Sequence, residues 1–208
     1  MNTRKCGRLE QSIAVQRELA VTMWIAFGMV VGYYYLQDHK LLYLSLMLHP
    51  HTLDTSLMWG VFAHNFLHAN TLHLFGNLMM FIPLSVLITV TKVKSYWIML
   101  ALFVTTSIML WAFADPDKRF VGASAVICAE AGFLFVSVFI ERAWWSLFTS
   151  VTVTGMYGFM IYNGILHAPE GVSARSHLIG LLSGILVAFL LYRIRRWKKN
   201  KKREREME

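Results

Sequence analysis

Residues 71–91 read TLHLFGNLMMFIPLSVLITVT, a run of 21 residues without Asp, Glu, Lys or Arg. A helix rises ~1.5 Å per residue, so this run can cross a hydrocarbon core of ~30 Å. Working outward from it, further apolar runs occupy about 19–37, 95–114, 121–140, 145–167 and 176–192. Together they predict an all-α, polytopic membrane protein: a bundle of six transmembrane helices. The first run is longer than a signal-peptide core, and Tyr33-Tyr34-Tyr35 is not a small-residue cleavage site, so the first span is expected to stay in place.

The composition agrees with this reading. Of 208 residues, 56% are hydrophobic and only 15% charged, against about 25% charged in an ordinary soluble domain. The net charge of +8 resides in the ends of the chain. Residues 1–18 hold four basic and two acidic residues, residues 193–208 hold nine basic and three acidic, and the seven of each sign between them cancel. A nucleic-acid-binding domain would carry its basic stripe across the folded surface, so no nucleic-acid partner is expected. Cys6 in the basic tail and Cys128 in an apolar run are badly placed to pair, which excludes a disulfide-stapled scaffold.

Six spans put both termini on one side. Sixteen Lys and Arg fall on that side, and four, Lys40, Lys118, Arg119 and Arg175, on the other. The positive-inside rule makes both termini cytoplasmic in a plasma (inner) membrane. The expected organisation is a basic tail over 1–18, a six-span core over 19–195 and a polybasic tail over 196–208 that can rest on anionic membrane lipid. The long loop 38–70 is too apolar for a solvated connection; it reads as short helices in the outer interface, with Trp59 at headgroup depth. There is no internal repeat of the kind that builds many transporters.

Polar groups inside spans are costly and therefore candidates for function. They are His64, His68, His73 and Asn77 around the start of the second span, Ser124 and Glu130 in the fourth, Asn163 in the fifth and His177 at the start of the sixth. The second, fourth and sixth spans all begin at the outer face, so Ser124, His177 and the His73/Asn77 pair lie at similar depth. His73 and Asn77, four apart, share a helix face. A hydroxyl, an imidazole and hydrogen-bond donors are the parts of acyl transfer. Each part also has a plainer reading. A membrane-helix Ser can bond back to its own carbonyls, and a His at a helix end can snorkel to the interface. His64 and His68 have metal-ligand spacing, but no Cys is near in sequence and the nearest acid is Asp54; no metal is assigned and no cofactor expected. Gly180 and Gly184 form GxxxG, which allows close approach to Ser124, Ala125, Ala129 and Gly132 of the fourth span or serves as a generic packing motif.

These residues resemble the rhomboid family of intramembrane serine proteases over roughly residues 19–195. The resemblance rests on Trp59; on His64, His68, His73 and Asn77 in HNFLHANTLHLFGN; on Gly122-Ala123-Ser124-Ala125 as the nucleophile motif GxSG; and on His177, Gly180 and Gly184 in SHLIGLLSG as the motif HxxGxxxG. It implies a catalytic Ser124–His177 dyad with no acidic third member. The oxyanion hole would come from His73, Asn77 and the Ser124 backbone N–H, with His68, Gly122, Gly180 and Gly184 in support. A water-filled cavity would open to the outside, covered by a loop after the fifth span. The substrates would be transmembrane-helix proteins cut near a small residue, where the helix unwinds easily. The chain departs from the family pattern at several positions. Ala125 replaces the last Gly of GxSG, Cys128 stands where many members carry a Tyr under the histidine, and Ser176 precedes His177 in place of Ala. Gly60 replaces an Arg after Trp59, and Thr89 stands near the place of a frequent Glu. The expected function is an intramembrane serine endopeptidase. The alternative is a rhomboid-like protein, weak or inactive as a catalyst, that binds membrane helices; loss of Ser124 or His177 would have favoured it, and both are present.

Overall fold

The computed structural model describes residues 3–91, 95–141, 144–167 and 173–207. The loop expected to cover the cavity (168–172), the basic residues Lys92, Lys94 and Arg142, and the Cys6 side chain lie outside the described residues.

Among the described residues eight α-helices follow in order: α1 (Thr3–Gln37), α2 (Lys40–Ser45), α3 (Gly60–Ala63), α4 (Thr71–Thr91), α5 (Ser95–Phe113), α6 (Ser124–Glu141), α7 (Trp144–Leu166) and α8 (Ala174–Met207), with a short 3-10 turn at His64–Phe66. Among the described residues there is no strand beyond one isolated bridge. Each of the six long helices covers most or all of one of the six apolar runs, and α1 and α8 extend well beyond theirs. Val15–Gln37, Thr71–Thr91, Ser95–Phe113 and α8 are long and apolar enough to cross a membrane, and Ser124–Ile140 is a shorter apolar helix. The molecule is a polytopic helical membrane protein. The stretches read as tails belong to helices, since α1 starts at Thr3 and α8 runs on to Met207.

The faces turned away from the bundle carry bare apolar side chains: Trp24, Leu72 and Phe159 are 71%, 80% and 81% exposed. Surface of this kind suits hydrocarbon, not water. Inside, Met29, Phe81, Leu84, Leu102 and Leu134 are fully buried in one continuous core. Lipid is as apolar as this core, so close packing and polar pairs have to hold the helices together. Both are present. A side chain on Gly180 or Gly184 would overlap the carbonyl oxygens of Ala125 and Ala129, so α8 lies backbone against backbone on α6. Thr106 of α5 meets Ser183 of α8 at 2.6 Å, and Ser85 of α4 donates to Glu130 of α6 at 2.6 Å.

The 38–70 loop does hold short helices, α2 and α3, and Trp59 is 74% exposed. It is also firmly docked. Leu48 and Phe120 exchange two main-chain hydrogen bonds at 3.0 and 3.1 Å. The His51 N–H donates to the Trp111 carbonyl at 2.9 Å, and the Trp111 indole donates to the Thr52 carbonyl at 3.0 Å. The loop is thus stapled to the end of α5 and to the 114–123 connection that leads into Ser124. Gly60 lies so close to the Met47 carbonyl that any side chain there would collide with it, which leaves no room for an arginine. At the other end of the bundle, the Glu18 carboxylate of α1 accepts the Ser95 N–H at 2.9 Å and the Ser95 hydroxyl, while Ser95 also contacts Thr89 at 3.2 Å. A carboxylate from α1 thereby caps the start of α5, next to Thr89.

Candidate active site

Ser124 is the first residue of α6, and the turn that delivers it is built on Gly122. Gly122 has φ +100°, a conformation that L side chains rarely adopt. Its N–H donates to the His64 carbonyl at 2.8 Å, so the 38–70 loop fixes the approach to the serine. A Cβ on Gly122 would fall 2.6 Å from His73 Cε1 and 3.5 Å from Asn77 Nδ2. The two α4 side chains therefore press directly on this turn.

On α4, Asn70 acts as the N-cap: its side-chain oxygen accepts the His73 N–H at 2.8 Å. Asn77 is buried and gives one amide hydrogen to the His73 carbonyl at 2.9 Å, leaving the other free to serve a ligand. His177 sits in the first turn of α8, behind Ser173, which accepts the Ser176 N–H through its hydroxyl at 3.3 Å.

The central contact is between α6 and α8. His177 Nε2 lies 3.1 Å from Ser124 Oγ. Its other ring nitrogen, Nδ1, lies 2.9 Å from the Gly164 carbonyl of α7. A carbonyl only accepts, so Nδ1 carries the proton and Nε2 presents a lone pair to the serine. Ser124, His177, His73 and Asn77 line one cavity of about 830 Å³, whose wall includes Cys128 and Met80. The first N–H groups of α6 have no partner within their own helix, and they begin at Ser124.

His64 and His68 take separate places. His64 is buried and bonds the Gly60 carbonyl through Nδ1 at 3.0 Å. His68 is buried edge-on against His73, with ring centroids 5.2 Å apart, and its ring nitrogens have no partner among the described residues. Burial pushes both imidazoles down to about 4, with the charge of His73 adding to the effect at His68. Asn163 stays out of the site, bonded to its own helix through the Phe159 carbonyl at 2.7 Å. Glu130 is buried away from the cavity wall, against Ser85. Gly164 was not visible to sequence reasoning, because it contributes a main-chain oxygen, which no residue type announces.

These elements define a polytopic membrane protein with a serine and a histidine joined between two spans. A family profile described as the Rhomboid domain matches residues 55–194, and the chain belongs to the rhomboid family. It is also similar to uncharacterized proteins of Mycobacterium tuberculosis and Mycobacterium bovis, 27% identical over 147 residues, covering 67% of this chain and 61% of theirs. An uncharacterized protein of Mycobacterium leprae is 27% identical over 153 residues, covering 67% of this chain and 58% of that protein. The chain thus spans about three-fifths of the length of these curated relatives.

Proposed function

We propose that this protein is an intramembrane serine endopeptidase that cuts transmembrane helices of other membrane proteins with a Ser124–His177 dyad. The observation that carries the reading is the 3.1 Å contact between His177 Nε2 and Ser124 Oγ, with Nδ1 committed elsewhere. Nε2 takes the Ser124 proton as Oγ attacks the scissile carbonyl carbon. The oxyanion forms at the start of α6, where main-chain N–H groups and the positive end of the helix dipole face it, with His73 and Asn77 as side-chain donors. The imidazolium then returns its proton to the leaving amine, and an acyl-enzyme remains. A water, deprotonated by Nε2, cleaves that ester and regenerates Ser124. The cavity supplies the room for water, which lipid cannot provide.

A peptide bond within a helix is covered by its own hydrogen bonds and must be extended before attack. Gly, Pro or polar residues in the substrate span lower that cost. With both termini cytoplasmic, as the charge bias favours, the cavity opens to the outer side of a plasma membrane. The residues 196–208 then lie near anionic lipid headgroups on the inner side.

The test is cleavage of a model transmembrane substrate carrying a Gly or Pro in the outer third of its span. Purified protein should cut it within the span, and Ser124→Ala should not. Binding of the substrate without cleavage by the unmodified protein would favour a helix-binding role instead.

A further inference from the structure

Gly164 belongs to the last turn of α7, where helix carbonyls face no further turn of their own helix and the macrodipole is negative. Its carbonyl oxygen accepts from His177 Nδ1 at 2.9 Å, and a Cβ on Gly164 would stand 2.8 Å from that nitrogen. The ring can make this contact only because residue 164 has no side chain. Cys128, small and buried on α6, offers no flat ring for the imidazole to stack on. Among the described residues no carboxylate bonds His177.

We propose that the C-terminal carbonyl of α7, presented by Gly164, is the positioning group of the dyad and takes the part an acidic third residue would play. It holds the proton on Nδ1, turns the lone pair of Nε2 to Ser124, and sets a partial negative charge beside the imidazolium that forms when Ser124 is deprotonated. The reacting charges then face opposite helix ends: the oxyanion faces the start of α6, and the imidazolium faces the end of α7. The interior face of α7 fixes this carbonyl. Val153 and Tyr157 are buried on it, and Gly164 lies seven residues, almost two full turns, past Tyr157 on the same side. Moving α7 would take the carbonyl from His177, so competence of the dyad depends on the seating of a third span.

This inference rests on the protease reading, and the experiment separates the two. The first measurement is the rate at which a fluorophosphonate labels Ser124 in detergent-purified protein, which needs an activated serine but no substrate. Labelling of the unmodified protein is expected; its absence would overturn the protease reading. Gly164→Ala should slow labelling by about 100-fold, the scale of a small misplacement of a reacting group, while thermal stability changes little. Gly155→Ala, on the same helix with nothing within 4 Å of its Cβ, should label at the unmodified rate. The second measurement is the ¹⁵N spectrum of the His177 ring at a pH where the histidine is neutral, which needs no variant. Protonated Nδ1 and bare Nε2 are expected, and Gly164→Ala should mix the tautomers. An active protein with the proton on Nε2, or unchanged labelling in Gly164→Ala, would overturn the inference and leave the protease reading standing.

Discussion

The main-chain N–H of Gly122 donates to the carbonyl of His64 at 2.8 Å, tying the turn before Ser124 to a loop nearly sixty residues earlier in the chain. The serine is therefore placed from two directions. Helix α8 packs on α6 from one side, and the docked 38–70 loop holds the entry to α6 from the other. The consequences of this arrangement can be measured.

Ser124→Ala and His177→Ala should each abolish cleavage while the protein stays folded in detergent. In the proposed dyad the two side chains, in contact at 3.1 Å, act as one unit. The double variant should then be no worse than either single one. Cleavage rates and melting temperatures of the three variants decide this.

Gly122→Ala should remove activity with little loss of fold. Alanine is strained at φ +100°, and its Cβ would sit 2.6 Å from His73 Cε1. His73→Ala and Asn77→Ala each remove one proposed oxyanion donor, and loss of a single such donor typically costs ~10²–10³ in rate. The smaller effect is expected at Asn77, where His73 and main-chain donors remain. Single-turnover rates at saturating substrate give the comparison.

The helix contacts predict a different kind of failure. Gly184→Val drives two methyl groups and a Cβ into the Ala129 carbonyl, where no space exists. Overpacking of this sort costs about 1–3 kcal/mol. Thermal unfolding should fall with activity in proportion to the folded fraction. An activity loss without a change in stability would show that Gly184 does more than pack.

Acid should loosen the first loop. His64 and His68 are held neutral by burial, with values near 4 against about 6.5 when unfolded. The unfolded chain therefore binds more protons below pH 6.5, so stability is full above that pH and falls as pH drops toward 4. Amide protection factors over residues 60–68, corrected for the slower intrinsic exchange in acid, should fall across that window. Flat protection from pH 7 to 4 would contradict the buried, neutral assignment.

Much of this was legible in the sequence, for physical reasons. Uncharged runs near 20 residues mark spans because lipid tolerates little else. His73 and Asn77 at i, i+4, with GxxxG at 180 and 184, mark helix faces because 3.6 residues make a turn. The docking of the 38–70 loop was not legible. It depends on main-chain bonds such as Leu48–Phe120 and His51–Trp111, whose donors and acceptors every residue carries. For the same reason the contact at Gly164 left no trace in residue type. Glu130 stood out as a buried acid, yet its partner Ser85 lies 45 positions away on another span, and only folding shows the pair.

The proposed chemistry stands or falls on activation of Ser124 as a nucleophile by His177. The most direct measurement is fluorophosphonate labelling of the purified protein, with the modified peptide located by mass spectrometry. A single adduct on Ser124 is expected, lost in His177→Ala although Ser124 is still present. An unlabelled protein, or an adduct formed equally well without the histidine, would contradict it.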